Sequence, residues 1–314
     1  MNRKKFINII NNQRIWIAIS IVILLLGLTN DFFVTYENFI NIFFQISING
    51  IITIGMTLLM LSGNIDLSVG SNMALVGTVI ILFQKYGIAV SIIAGLIIGT
   101  LIGLINGILV TKLKIEALPA TLGMMTALRG VVLLLTKTQT IKGENQSFML
   151  LGNSSFYTIP YAVIIFIFLL IVSIILMSKS YFGRNIYAIG GNPIASRFFG
   201  INVEKLTLIS FTITGFLVGV AGVIITSRLN VASGIIGVDT ALIAITAVLL
   251  GGTSLMGGEG GPFKSFQGIL LLGIIANAMR MLNISPNYQI LINGLILIVI
   301  VSIDGNSIKN KKFS

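Results

Sequence analysis

Long apolar runs, separated by short polar segments, dominate the chain. Ten of them, at roughly 15–29, 39–62, 67–83, 88–110, 117–136, 160–177, 206–227, 239–256, 265–282 and 288–304, reach or approach the roughly 17 to 25 residues that cross hydrocarbon as a helix. The pattern predicts an all-α, polytopic membrane protein of about ten helices, forming one domain over residues 1–314. No polar segment exceeds about 30 residues, too few to bury a separate core outside the membrane.

Two interruptions stand out. The first, "LSGNIDLSVGSNM" from Leu61 to Met73, places Asn64, Asp66, Ser68, Ser71 and Asn72 between apolar runs. A helix break at membrane depth is tolerated only inside protein or beside water. Ser62 and Gly63 suit the end of one helix, and Asp66 is placed to cap the next by accepting from the backbone N–H of Ser68 or Val69. The second is "GGTSLMGG" at 251–258, which contains Thr253 and Ser254. Laid on "GNIDLSVG" at 63–70, it matches Gly63 with Gly251, Leu67 with Leu255 and Gly70 with Gly258. This is a weak parallel repeat, about 39–110 against 239–304, and paired glycine-interrupted segments of this kind point to a transport site. Capping and packing at helix ends is the competing role for the same residues. Gly95, Gly99, Gly103 and Gly107 form a small-residue face on the fourth helix, and Gly215, Gly219 and Gly222 another on the seventh; both predict close helix packing.

The composition agrees, with 55% apolar and 9% charged residues among 314 and a mean hydropathy of +1.03. The chain has no Cys and no His, which excludes disulfides, iron–sulfur clusters and thiolate catalysis and removes the commonest metal ligand and general base. No catalytic, metal or cofactor site is expected, and no enzyme activity. The nearest approach to a phosphate-binding loop, "GGEGGPFKS" at 257–265, lacks the glycine before Lys264 and carries Glu259. ATP-driven work would therefore belong to a partner. The net charge of +11 comes from 20 Lys and Arg scattered at the ends of apolar runs, a distribution that fits orientation signals and lipid contacts rather than nucleic acid. With both termini cytoplasmic, the inner segments hold 14 of the 20: Arg3, Lys4, Lys5, Arg14, Lys112, Lys114, Lys179, Arg184, Arg197, Lys205, Lys264, Lys309, Lys311 and Lys312. The basic, apolar N-terminus has no small-x-small cleavage site after it and is expected as an uncleaved first helix.

Asp66 is the one carboxylate placed for depth, a poor basis for a proton or sodium relay; an ion-coupled secondary transporter is the rival from another class. Arg129 is a cation inside an apolar run, where a central position costs on the order of 3 kcal/mol. Snorkelling to the outer interface, lining an aqueous path and pairing with a carboxylate are its alternatives. The longest inner loop, 178–205, has the grammar of a short helix. Asn192 suits the N-cap, Pro193 the first helical position, Arg197 the last turn and Gly200 the termination. Lying flat with Phe198 and Phe199 available, it reads as a docking element or an interfacial anchor.

At "SGNIDLSVGS", "GLINGILVTKLKI", "TLGMMTALRG", "GRNIYAIGGNPIASRFFGINV", "AVLLGGTSLMGGEGG" and "NISPNYQILINGLILI", the chain resembles the ribose-type permease subunits of bacterial ATP-binding-cassette importers for monosaccharides and autoinducer-2. The blocks run in order from about residue 45 to 304. The resemblance implies a bacterial inner-membrane permease paired with a second copy or a paralogue. It also implies two cytoplasmic ATPase domains and an extracytoplasmic sugar-binding protein as partners. It implies that the loop around Gly191, Asn192, Ala195, Arg197 and Gly200 couples to the ATPase, with Ala195 and Gly200 matching the family and Pro193 and Ile194 departing from it. A monosaccharide is the expected cargo, ribose first, with galactose, xylose and autoinducer-2 as alternatives. Asn64, Asp66, Ser68, Ser71, Asn72, Thr253 and Ser254 are the candidates for lining its route, since amides and hydroxyls replace a sugar's water shell.

Overall fold

The computed structural model describes residues 3–29 and 31–312. Each of the ten apolar runs falls on a helix: α1 Arg3–Thr29, α2 Tyr36–Leu61, α3 Val69–Phe83, α4 Ile88–Thr111, α5 Ala117–Thr136, α7 Tyr161–Lys179, α10 Val203–Leu229, α11 Thr240–Leu250, α12 Pro262–Met281 and α13 Pro286–Lys312. Three shorter helices lie between them: α6 Ser147–Asn153, α8 Tyr181–Gly191 and α9 Pro193–Phe198. Among the described residues, six helices (α2, α4, α5, α7, α10 and α12) are long and apolar enough to cross a membrane. At 1.5 Å per residue α3 rises about 22 Å and α11 about 17 Å, short of a hydrocarbon core of about 30 Å. The expected span at 239–256 is therefore a partial one, because its helix stops at Leu250.

The core is built around α2, which packs against α7, α10, α11 and α12. Helices α4 and α10 approach closely through the two glycine faces. A methyl group at Gly99 would lie 2.9 Å from both the Gly215 oxygen and the Gly219 Cα, and one at Gly103 only 2.8 Å from the Gly215 Cα. Backbone against backbone, these helices form a pair with no side chain to slide on. On its other side α10 meets α2, where Thr214 Oγ1 donates to the Gly55 carbonyl at 3.1 Å.

The basic residues sort to the two ends of the bundle. At one end lie α8, α9, the 112–116 turn, the start of α10 and the 251–261 hairpin, with Lys112, Lys114, Arg184, Arg197, Lys205 and Lys264. The side chains of residues 3–14 and 303–312, which include seven further cations of the inner set, lie outside the described part. At the opposite end two buried amide ties hold the helix ends together. Gln84 Nε2 donates to Asn230 Oδ1 at 2.9 Å, and Asn277 Nδ2 to Asn38 Oδ1 at 2.9 Å. There too a two-residue strand β1, Ile141–Lys142, pairs antiparallel with β4, Val231–Ala232, and β2, Ser155–Phe156, pairs with β3, Ile159–Pro160.

Candidate transport and coupling site

After Leu61 the chain leaves helix α2 through Ser62 and Gly63, the latter at φ +76°. Asp66 then organises the start of α3. Its Oδ1 accepts from Ser68 N at 2.8 Å and from Ser68 Oγ at 2.6 Å, and its Oδ2 from Asn106 Nδ2 at 3.1 Å. Asn106 Nδ2 also reaches Ser68 Oγ at 2.8 Å, and Leu67 N donates to Thr121 Oγ1 at 3.2 Å. The carboxylate is 3% exposed and is offset by three donors and the positive end of α3. Farther along, Ser71 and Asn72 are buried, with Asn72 Nδ2 on the Gly99 carbonyl at 3.2 Å. Asn106 was missed by the sequence reading, although a lone amide in the apolar run "GLINGILV" was the available signal.

The hairpin 251–261 folds on itself. Gly261 N donates to Thr253 Oγ1 at 3.2 Å, Ser254 N to the Glu259 carbonyl at 3.0 Å and Met256 N to Ser254 Oγ at 3.2 Å. Thr253 and Ser254 thus hold the hairpin's shape. Of the seven candidates for the route, Asn64 is the one that borders a cleft of about 480 Å³ that also touches Lys114, Arg197 and Glu204. The two interruptions meet each other: Gly258 N donates to the Leu61 carbonyl at 3.0 Å.

In the 178–205 loop α8 precedes α9, and Asn192 caps α9 by accepting from Ile194 N at 3.0 Å and Ala195 N at 2.9 Å. Pro193 opens the helix, and Gly200, at φ +78°, follows its end. Gly191, Asn192, Arg197 and Gly200 are exposed and Ala195 is half-buried. Beside them Phe198 and Phe199 are 88% and 85% exposed. Arg197 Nη2 binds Glu204 Oε1 at 2.8 Å, tying α9 to the first turn of α10. Tyr187 and Gly190, unremarked in the sequence, face inward; Tyr187 OH donates to the Gly260 carbonyl at 3.0 Å.

Among the described residues Arg129 forms no ion pair. Its guanidinium donates to the Gly234 carbonyl and, at 3.0 Å, to that of Ile236. These belong to a non-helical passage, 233–239, that runs inward from Asn230. Asn230 is level with Gln84 at one end of α3, whereas Gly237 packs against Gly70 near the other, about 20 Å away along the helix. Ile235 is 80% exposed here and Val238 and Leu242 are exposed as well, next to the uncovered α5 positions Gly123, Thr126, Gly130 and Leu134. Large apolar side chains are exposed on α5 as well as on α4 and α7, Leu118, Leu122 and Leu134 on the first and Ile93, Ile97, Phe168 and Ile175 on the others.

Residues 38–301 match the family model described as a branched-chain amino acid transport system permease component. The chain is 39% identical to the ribose import permease protein RbsC of Haemophilus influenzae, over 96% of this chain and 94% of that one. It is 36% identical to the RbsC of Bacillus subtilis, over 92% and 91%. It is 35% identical to the L-arabinose transport system permease protein AraH of Escherichia coli, over 89% and 86%. No solved structure matches. The chain belongs to this permease family, as a ribose-type permease of the ATP-binding-cassette transporters, and is a multi-pass inner-membrane protein.

Proposed function

We propose that this member of the ribose-type permeases carries a monosaccharide, ribose first, into the cytoplasm without modifying it. The observation that carries the reading is identity of 36–39% with ribose import permeases over more than nine-tenths of the chain. Relatives named for L-arabinose and D-allose at 35% and 32% identity extend the candidate cargo to other aldoses. The end bearing α8 and α9 faces the cytoplasm, as its cations favour. Two ATPase domains dock there on α9 and its flanks, Gly191, Asn192, Ala195, Arg197 and Gly200, with Phe198 and Phe199 as apolar anchors. An extracytoplasmic sugar-binding protein delivers cargo at the opposite end.

The route runs along the uncovered face formed by α5 and the 233–239 passage, closed on its far side by a second copy or a paralogue. Non-helical backbone at this depth does not face lipid tails, so either water or another protein chain covers it. Asp66, Ser68, Ser71 and Asn72 then shape the wall of the route from behind, while Asn64 borders the inner cleft. The test is reconstitution of the chain with its ATPase and binding protein in liposomes. ATP-dependent uptake of ribose, competed by L-arabinose or D-allose according to their affinities, supports the reading. A pH- or sodium-gradient-driven flux by the chain alone overturns it.

A further inference from the structure

We infer that the 251–261 hairpin is a second receiver of the coupling loop's motion, with Gly190 as the positioning residue that joins them. This rests on the reading of α8 and α9 as the ATPase contact. A methyl group on Gly190 would overlap both the Leu61 carbonyl oxygen and the Gly258 nitrogen, the two atoms that are bonded to each other across the junction. The approach is mutual: a Cβ on Gly257 would stand 2.9 Å from the Gly190 Cα, and one on Gly258 2.9 Å from the Gly191 nitrogen. One turn earlier on α8, Tyr187 OH holds the Gly260 carbonyl at 3.0 Å. Three segments distant in sequence therefore touch backbone to backbone, with no side chain between them to absorb a displacement.

On its buried face α8 also packs through a side chain, with Ile186 against Leu58, Leu61 and Met177. The Arg197–Glu204 link to α10 is an exposed ion pair, which transmits little, and α10 itself is packed glycine to glycine on α4. The hairpin is stiffened by its own bonds through Thr253 and Ser254. It leads without a break into α11, whose other end is the 233–239 passage beside Arg129. A push on Gly190 thus has a short rigid line, one helix of 11 residues, to the uncovered face.

The experiment uses the reconstituted complex of permease, ATPase and sugar-binding protein and reads sugar taken up per ATP hydrolysed. Gly190→Ala forces the junction apart, and Tyr187→Phe removes one hydrogen bond without adding an atom. With the ATPase still bound and its receptor-stimulated hydrolysis within about twofold of the parent, uptake per ATP is expected to fall at least fivefold for Gly190→Ala and about twofold for Tyr187→Phe. An unchanged ratio in Tyr187→Phe, whether or not Gly190→Ala assembles, overturns the inference and leaves the junction as packing. A Phe198→Asp, Phe199→Asp double variant separates the underlying reading: if its ATPase still co-purifies, the loop is not the docking element, whatever the hairpin does.

Discussion

The stretch from Ser62 to Ser68 and the stretch from Ser233 to Asp239 both interrupt helices inside the bundle, and they solve the same problem in opposite ways. In the first, polar groups are plentiful and mostly buried: Asp66, Ser68, Asn106 and Thr121 hydrogen-bond within the break with almost no exposure, though Asn106 Oδ1 has no partner and Asn64 borders the inner cleft. In the second, polar side chains are scarce. Two carbonyls lean on Arg129 from α5, and apolar side chains stand uncovered on the open side. Polarity in sequence therefore did not mark the open surface. A run of polar residues at depth is more economically closed upon itself than left facing a path, because each buried unmet donor costs about 1–3 kcal/mol.

The largest expected effect comes from opening the sealed break. Asp66→Ala strands Ser68 N–H and Ser68 O–H and takes one of the two bonds of the Asn106 amide, a penalty of several kcal/mol in total. We expect a thermal midpoint lower by about 10 °C and poor recovery of the complex. Asp66→Asn keeps an oxygen for Ser68 N–H and should retain transport with a far smaller shift; loss of transport in a well-assembled Asp66→Asn complex would give the charge a role beyond capping. Next comes Arg129→Ala, which releases two carbonyls on the open stretch. Uptake should fall about tenfold while the midpoint drops only a few degrees, since one side of this stretch is unpacked. A collapse in stability as deep as that of Asp66→Ala would erase the contrast between the two regions.

Smaller still, Ile235→Ala should change stability by no more than about 0.5 kcal/mol, measured by thermal unfolding in nanodiscs, yet alter uptake severalfold. The finest probe changes neither. Because the chain has no Cys, single Ile235→Cys and Ser71→Cys variants report cleanly on access to a membrane-impermeant thiol reagent. Labelling is expected at Ile235→Cys alone, and equal rates at both positions would place the Asp66 break on the route as well.

Much of this was legible. The ten apolar runs landed on ten helices because burial, in lipid or within the bundle, imposes apolar composition locally, and six of these helices among the described residues are long enough to span. The helix-start signal at Asn192 was readable because a cap is satisfied within three residues of chain, and Asp66 bonds over the same short range to Ser68, the residue that opens α3; the glycine faces of α4 and α10 were readable because four-residue spacing is a property of one helix. The 239–256 run read as a full span since nothing in its apolar content announces that α11 stops at Leu250. Likewise "VASGIIGVD" looks like an unremarkable connection.

What the sequence determined alone, then, was the membrane class, the placement of the helices and their local caps, each a consequence of short-range periodicity and hydrophobicity. The tertiary structure decided which interruption is sealed and which is open, and that the two glycine-rich interruptions meet at Gly190. Those outcomes depend on donors and backbones far away in sequence, Asn106 lying 40 residues from Asp66 and Arg129 lying 105 from Gly234. Only the folded chain brings such groups within hydrogen-bonding distance, and no local pattern encodes the meeting.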